Sequence, residues 1–168
     1  MSPPSANNTD SRIRVIKTYF SKVKTGDPSI TALFTDDFEF YFPKFGAARG
    51  KQALAVFAER MGRNLAAVGH NIAKFRYIVS KDAPVIAVEG TEFGQIRDGR
   101  TWPDGIVSHG RFCSVFEFDG LLISRMSIYV DPDFGSDDAA RIAWLRGEAD
   151  RDNSVRVAAG RYKELTGA

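Results

Sequence analysis

Cysteine is almost absent from this sequence: Cys113 stands alone among 168 residues. One thiol excludes an intrachain disulfide and any zinc site built mainly on cysteine. An excess of one charge is missing too. Lysine and arginine number 23 against 21 acidic residues, and the basic ones are scattered. Nucleic-acid binders gather them on one face, so no nucleic-acid partner is expected. No stretch approaches the roughly 18 consecutive apolar residues of a membrane span, so no membrane partner is expected either. The opening MSPPSANNTDS lacks the basic-then-apolar order of an export signal. A cytoplasmic location is therefore the default expectation, and residues 1–10 read as a disordered arm. No internal repeat is visible.

Aromatic residues are plentiful: 13 phenylalanines, five tyrosines and two tryptophans, enough to build a core of large rings in a chain of single-domain length. Ile13, Ile16, Phe20 and Val23 recur at helical spacing, with Asp10 or Ser11 as the cap and Gly26 as the stop. Asp27-Pro28-Ser29 opens a short second helix through Ile30, Leu33 and Phe34. Residues 38–42 alternate as a strand, with Phe38, Phe40 and Phe42 on one face and Glu39 and Tyr41 on the other. Residues 43–50 read as a loop. Leu54, Phe57, Met61 and Leu65 mark a third helix. Strands are then expected at 70–79, 85–95, 105–118 and 122–131, with Asp119-Gly120 as a tight hairpin signal. A last helix is expected at 139–146. Helices, a strand, a helix and four antiparallel strands in that order make an α+β fold, with helices on one face of a curved sheet.

Several local motifs sit on this order. They are Tyr19-Phe20, Thr25-Gly26-Asp27, Leu33-Phe34-Thr35-Asp36-Asp37 and Arg49-Gly50, then Phe116-Glu117-Phe118-Asp119-Gly120 and Tyr129-Val130-Asp131-Pro132. Together they resemble the nuclear transport factor 2-like superfamily, and within it the SnoaL-like group, over roughly residues 11–134. The resemblance implies a cone-shaped, curved antiparallel sheet with the N-terminal helices packed on its concave face. It places a SnoaL-like domain at 11–147 and a C-terminal tail or extra helix at 148–168. It also implies a mostly apolar cavity for a small apolar or aromatic ligand, no cofactor, and a homodimer formed through the outer sheet face. On it, Met126, Ile128 and Val130 face the helices, whereas Arg125, Ser127 and Tyr129 face outward. The superfamily holds ketosteroid isomerases, limonene epoxide hydrolases, polyketide cyclases, scytalone dehydratases and binding modules, so side chains rather than fold decide the chemistry.

Steroid isomerases of this fold use a helix tyrosine, a base just before a proline and a second acid in the penultimate strand. Tyr19 matches the tyrosine, but Phe42 stands at the base and Ser114 near the second acid. Epoxide hydrolases of this fold use an Asp-Arg-Asp set, whose positions fall near Ile128, Gly90 and Glu92; only Glu92 carries an acid. Cyclases and dehydratases use a histidine and an aspartate. His70 stands at the start of an expected strand, and His109 lies within another beside Arg111 and Cys113. An imidazole with an ordinary pKa of about 6.5 suits proton shuttling, although a lone histidine is more often structural. Asp131 is open to two readings, a catalyst or a turn residue whose oxygens cap backbone N–H groups before Pro132 ends the ladder. Asp133, Asp137 and Asp138 miss the EF-hand spacing, so no metal is expected. Cys113 reads as a strand cysteine without activation.

Three functions fit these residues. The first is cofactor-free acid–base catalysis: a cyclase, dehydratase or isomerase. His70 or Asp131 would be the base and Glu92 a reserve acid. Tyr19 and Ser114 would be donors, and Phe42, Trp102, Phe112, Phe116, Met126 and Ile128 would be ligand-binding walls. The second is a non-catalytic ligand-binding or assembly module. The third is the small subunit of a ring-hydroxylating oxygenase.

Overall fold

Ile16, Tyr19, Phe20 and Arg12 share one side of the first helix, α1 (Ala6–Thr25), and all four are buried. The computed structural model describes residues 6–43, 45–103 and 108–131. α1 begins at Ala6, so Asp10 and Ser11 lie inside it rather than at its cap. Its end is as expected. Gly26 takes a left-handed φ of 64°, and the N–H groups of Gly26 and Asp27 donate to the carbonyls of Val23 and Lys22. This paired closure satisfies carbonyls that the helix leaves open. A short 3-10 helix (Pro28–Leu33) follows at once, capped by Asp27, whose carboxylate accepts the Ser29 N–H at 2.9 Å and the Lys22 ammonium at 2.5 Å.

The chain continues through β1 (Phe34–Phe42), β2 (Gly46–Arg49), α2 (Lys51–Asn64) and β3 (Leu65–His70). A second 3-10 turn (Ile72–Lys74) precedes β4 (Arg76–Val79), β5 (Val85–Ile96), β6 (Thr101–Trp102), β7 (Arg111–Asp119) and β8 (Leu122–Val130). The strands order as β2-β1-β8-β7-β5-β3, with β4 and β6 also on β5. Among the described residues every neighbouring pair is antiparallel except β1 with β8, which run parallel. The sheet is mixed and unclosed. No helix among the described residues is long and apolar enough to cross a membrane.

Four local expectations differ from what is observed. Residues 46–49 form β2 against β1 instead of remaining loop, and Gly50 N–H closes onto Phe38 O at 2.8 Å. Leu65 opens β3 rather than closing α2. The strand expected at 70–79 is two strands separated by the 3-10 turn, because Phe75 packs inward on Phe20 and Phe112 at 4.8 and 5.4 Å between ring centroids. Of the strand expected at 105–118, residues 108–110 are not strand and β7 begins at Arg111, after Gly110 with its left-handed φ of 63°, so His109 lies outside it. The helix expected at 139–146 and the acidic run after Asp131 lie outside the described residues.

The core forms where the inner sheet face meets the helices. Across β5, β7 and β8 it holds the rows Val88–Ser114–Ile128 and Ile86–Phe116–Met126, all buried. Tyr19 and Phe20 of α1 meet Phe116 edge-on at 5.6 and 6.1 Å. Phe57 of α2 meets Phe40 and Phe42 at 4.7 and 5.2 Å. The even spacing of phenylalanines along β1 and β7 puts their rings on one side of the sheet, where aromatic pairs prefer edge-on or tilted contact.

Candidate active site

The antiparallel register of β3 on β5 sets His70 opposite Glu92. Both side chains turn inward and are only 7% exposed, with His70 Nε2 3.4 Å from Glu92 Oε2. That is ion-pair reach, longer than a closed N–H···O bond of about 2.7–3.2 Å, as is common for catalytic pairs before the reacting complex tightens them. The imidazole lies against Phe20 and Phe112, at 4.6 and 5.3 Å between centroids. Its other nitrogen, Nδ1, is buried and has no hydrogen-bond partner. A buried polar atom without a partner costs free energy, about 1–3 kcal/mol, and is uncommon enough to need an explanation.

Tyr19 completes the group. Its phenol is buried, and burial first, then the nearby negative charge of Glu92, pushes its pKa far above the ordinary value near 10. It therefore keeps its proton and can act only as a neutral hydroxyl at physiological pH. Glu92 on β5, His70 at the end of β3 and Tyr19 on α1 thus bring a carboxylate, an imidazole and a phenol together under aromatic walls. His70 closes its strand rather than opening one.

The remaining candidates fall around this centre. Phe112 and Phe116 carry rings of its wall. Ser114, 1% exposed, and Ile128 share one inward row, and Met126 lies in the next. Phe42 sits apart, among Phe45 and Phe57. Trp102 is buried on β6, with its indole over Gly94, two residues along β5 from Glu92. Asp131 lies just beyond β8. Its Oδ1 accepts the Ser108 hydroxyl at 3.2 Å and the Arg111 N–H at 2.9 Å, and its Oδ2 accepts the His109 N–H at 3.2 Å. His109 itself is exposed. Cys113 is partly buried, and burial, then Glu89, raises its thiol pKa, so no thiolate nucleophile arises there.

Two wall residues were missed as site candidates. Phe20 reads in the sequence as part of a helical stripe and of the Tyr19-Phe20 motif, and Phe75 is hidden inside an apparent continuous strand. Gly90 makes room for both Phe75 and Phe112: a Cβ there would lie 2.7 Å from one ring and 2.8 Å from the other. The position where an epoxide hydrolase of this fold would place arginine is therefore filled by aromatic rings. No group of three or more metal-ligating side chains occurs among the described residues.

The sequence matches the SnoaL-like domain over residues 16–126, about two thirds of the chain. Among curated proteins none matches it. Solved structures are similar in fold. A candidate polyketide cyclase from Pseudomonas putida KT2440 is 21% identical with a TM-score of 0.57, covering 70% of this chain and 90% of that one. An NTF2-like protein from Anabaena variabilis ATCC 29413 is 19% identical with a TM-score of 0.62, covering 79% and 96%. An LEH-like epoxide hydrolase from M. tuberculosis is 20% identical with a TM-score of 0.54, covering 73% and 84%.

Proposed function

Since this chain belongs to the SnoaL-like domain family, whose fold carries many chemistries, we propose that His70, Glu92 and Tyr19 perform cofactor-free proton transfer on a small apolar or aromatic molecule. One observation carries the reading: a buried imidazole with a carboxylate at one nitrogen and nothing at the other. A hydrogen bond at one ring nitrogen sets the role of the second. With Nε2–H turned to Glu92, Nδ1 keeps a lone pair and can accept a proton from a C–H or O–H acid. Glu92 then stabilises the imidazolium that forms. The Tyr19 hydroxyl, locked in its protonated form, donates to the oxygen where negative charge builds. The proton returns from Nδ1 to the product, so no external reagent is consumed. Cyclisation, dehydration and isomerisation all contain such a step.

The test starts with mass spectrometry of ligand co-purified with the native protein, which supplies a scaffold for a turnover assay. His70→Ala and Glu92→Gln are expected to lose turnover while still binding. Unchanged turnover in both would overturn the reading. A binding module of the same fold is the second reading, favoured by Phe42 and Ile128 standing where related enzymes carry acids. It predicts ligand retention without conversion by the native protein. We also propose a homodimer through the outer sheet face. Tyr41 and Tyr129 meet there at a tilt, 5.9 Å between centroids, while remaining 37% and 48% exposed.

A further inference from the structure

We infer that Asp131 is a positioning residue, which acts through the turn 108–110 to hold Glu92 against His70. This rests on the reading of His70 and Glu92 as the working pair.

At Glu92, β5 changes neighbours. Thr91 is the last residue registered with β7, opposite Arg111, and Glu92 the first registered with β3, opposite His70. At that junction the turn before β7 takes over from the ladder. The Glu92 N–H donates to Gly110 O at 2.7 Å. Gly110 also lies so close that a Cβ on it would come within 2.3 Å of Glu92 O. With a φ of 63° as well, position 110 suits glycine on both counts. Gly110 therefore accepts the Glu92 N–H and lies close against the Glu92 carbonyl.

Asp131 shapes that turn. Its carboxylate receives the Ser108 hydroxyl and the N–H groups of His109 and Arg111, and its own N–H donates to Arg111 O at 2.9 Å. The Ser108 hydroxyl in turn accepts the Gly110 N–H at 3.1 Å. A continuous path of hydrogen bonds thus runs from Asp131 through Ser108 and Gly110 to the backbone of Glu92. With both carboxylate oxygens engaged in this way, Asp131 holds a turn and is not aimed at a substrate proton. The Glu92–His70 separation of 3.4 Å leaves little tolerance, because a shift of about 1 Å at a catalytic group is enough to matter.

The chain has two histidines, so a His109→Gln background leaves His70 as the sole imidazole and keeps the backbone N–H that Asp131 uses. Long-range proton–nitrogen NMR of that ring reports how unlike its two nitrogens are. In the background protein the two nitrogens are expected to differ, since one faces Glu92 and the other has no partner. Adding Glu92→Gln is expected to shrink that difference, and adding Asp131→Asn to shrink it in the same direction with the thermal transition still cooperative. If Glu92→Gln shrinks it and Asp131→Asn does not, the inference is overturned and Asp131 is a loop clamp only. If Glu92→Gln changes nothing, the pair reading fails first and takes this inference with it. Should Asp131→Asn not fold, Ser108→Ala carries the test, since it removes the hydroxyl that links Asp131 to Gly110. An unaltered His70 spectrum in that variant overturns the inference equally.

Discussion

Tyr19 shows how one side chain's surroundings restrict what it can do. Its proton is held more tightly in the folded protein than in the unfolded chain, because burial and Glu92 both oppose the phenolate. The stability linked to it is therefore complete below the unfolded value near 10 and is lost as pH rises through the folded one. In an alkaline absorbance titration, the Tyr19 phenolate is expected only together with unfolding. Tyr19→Phe should remove that late step and leave the earlier tyrosines unchanged. Cys113 is constrained in the same direction, since burial and Glu89 raise its thiol. Alkylation at pH 7 should run slower in the native protein than in urea, and a native rate equal to the denatured one would contradict this. Tyr19, His70 and Glu92 were all legible as candidates: Tyr19 and Glu92 through the family resemblance, and His70 as one of two histidines, at the start of an expected strand. Their meeting was not legible. It depends on the register of residue 70 on residue 92, which the broken strand after His70 conceals.

Elements were most readable where a local rule decided them. The stop of α1 at Gly26 and the start of the 3-10 helix at Asp27 follow from backbone freedom and side-chain capping. Asp27 also supports a pH prediction. Its pKa is lowered to about 2, by the hydrogen bond from Lys22 first and those from Ser29 next. Its contribution is present above the ordinary carboxylate value of about 3.9 and fades as pH falls towards 2. Asp27→Ala should thus lower the melting temperature at pH 7 and make little difference near pH 2. Elements were least readable where packing overrode pattern. The alternation through 70–79 looked like one strand, but the rings of Phe75, Phe20 and Phe112 require the chain to turn inward over Gly90. Gly90→Ala is expected to destabilise by about 1–3 kcal/mol, the usual cost of overpacking, measured by urea unfolding. The strand β2 went unread because its four residues, Gly46–Arg49, carry no alternation, and pairing with β1 alone defines it.

At the scale of the molecule, the α+β class and the layering of helices on a curved sheet followed from the order of periodic segments. The parallel pairing of β1 beside β8 did not, since strand order is set by how the core closes. Phe116, fully buried between α1 and the sheet, is central to that core. Phe116→Ala should cost about 3–5 kcal/mol in the same unfolding measurement. The outer face carries a row of alternating charge, with Arg125 between Glu39 at 3.8 Å and Glu117 at 3.3 Å, and Arg49 on Glu39 at 3.3 Å. Arg125→Glu would gather three carboxylates there. If two copies meet on this face, sedimentation should show the variant shifted to monomer with its fold intact.

The change of neighbours along β5 has a mechanical meaning. Along β5, β7 pairs from Val85 to Thr91 and β4 from Ile86 to Glu89; beyond these, β3 and β6 take their ladder hydrogen bonds from β5. In its hydrogen-bond ladder the short outer leaf is thus cantilevered from a single strand, with the acidic side chain at its root, while α1 and α2 pack against β3. Amide deuteration should spread inward from β6 and the middle of β3 and slow abruptly at Glu92, tracing where the beam is anchored.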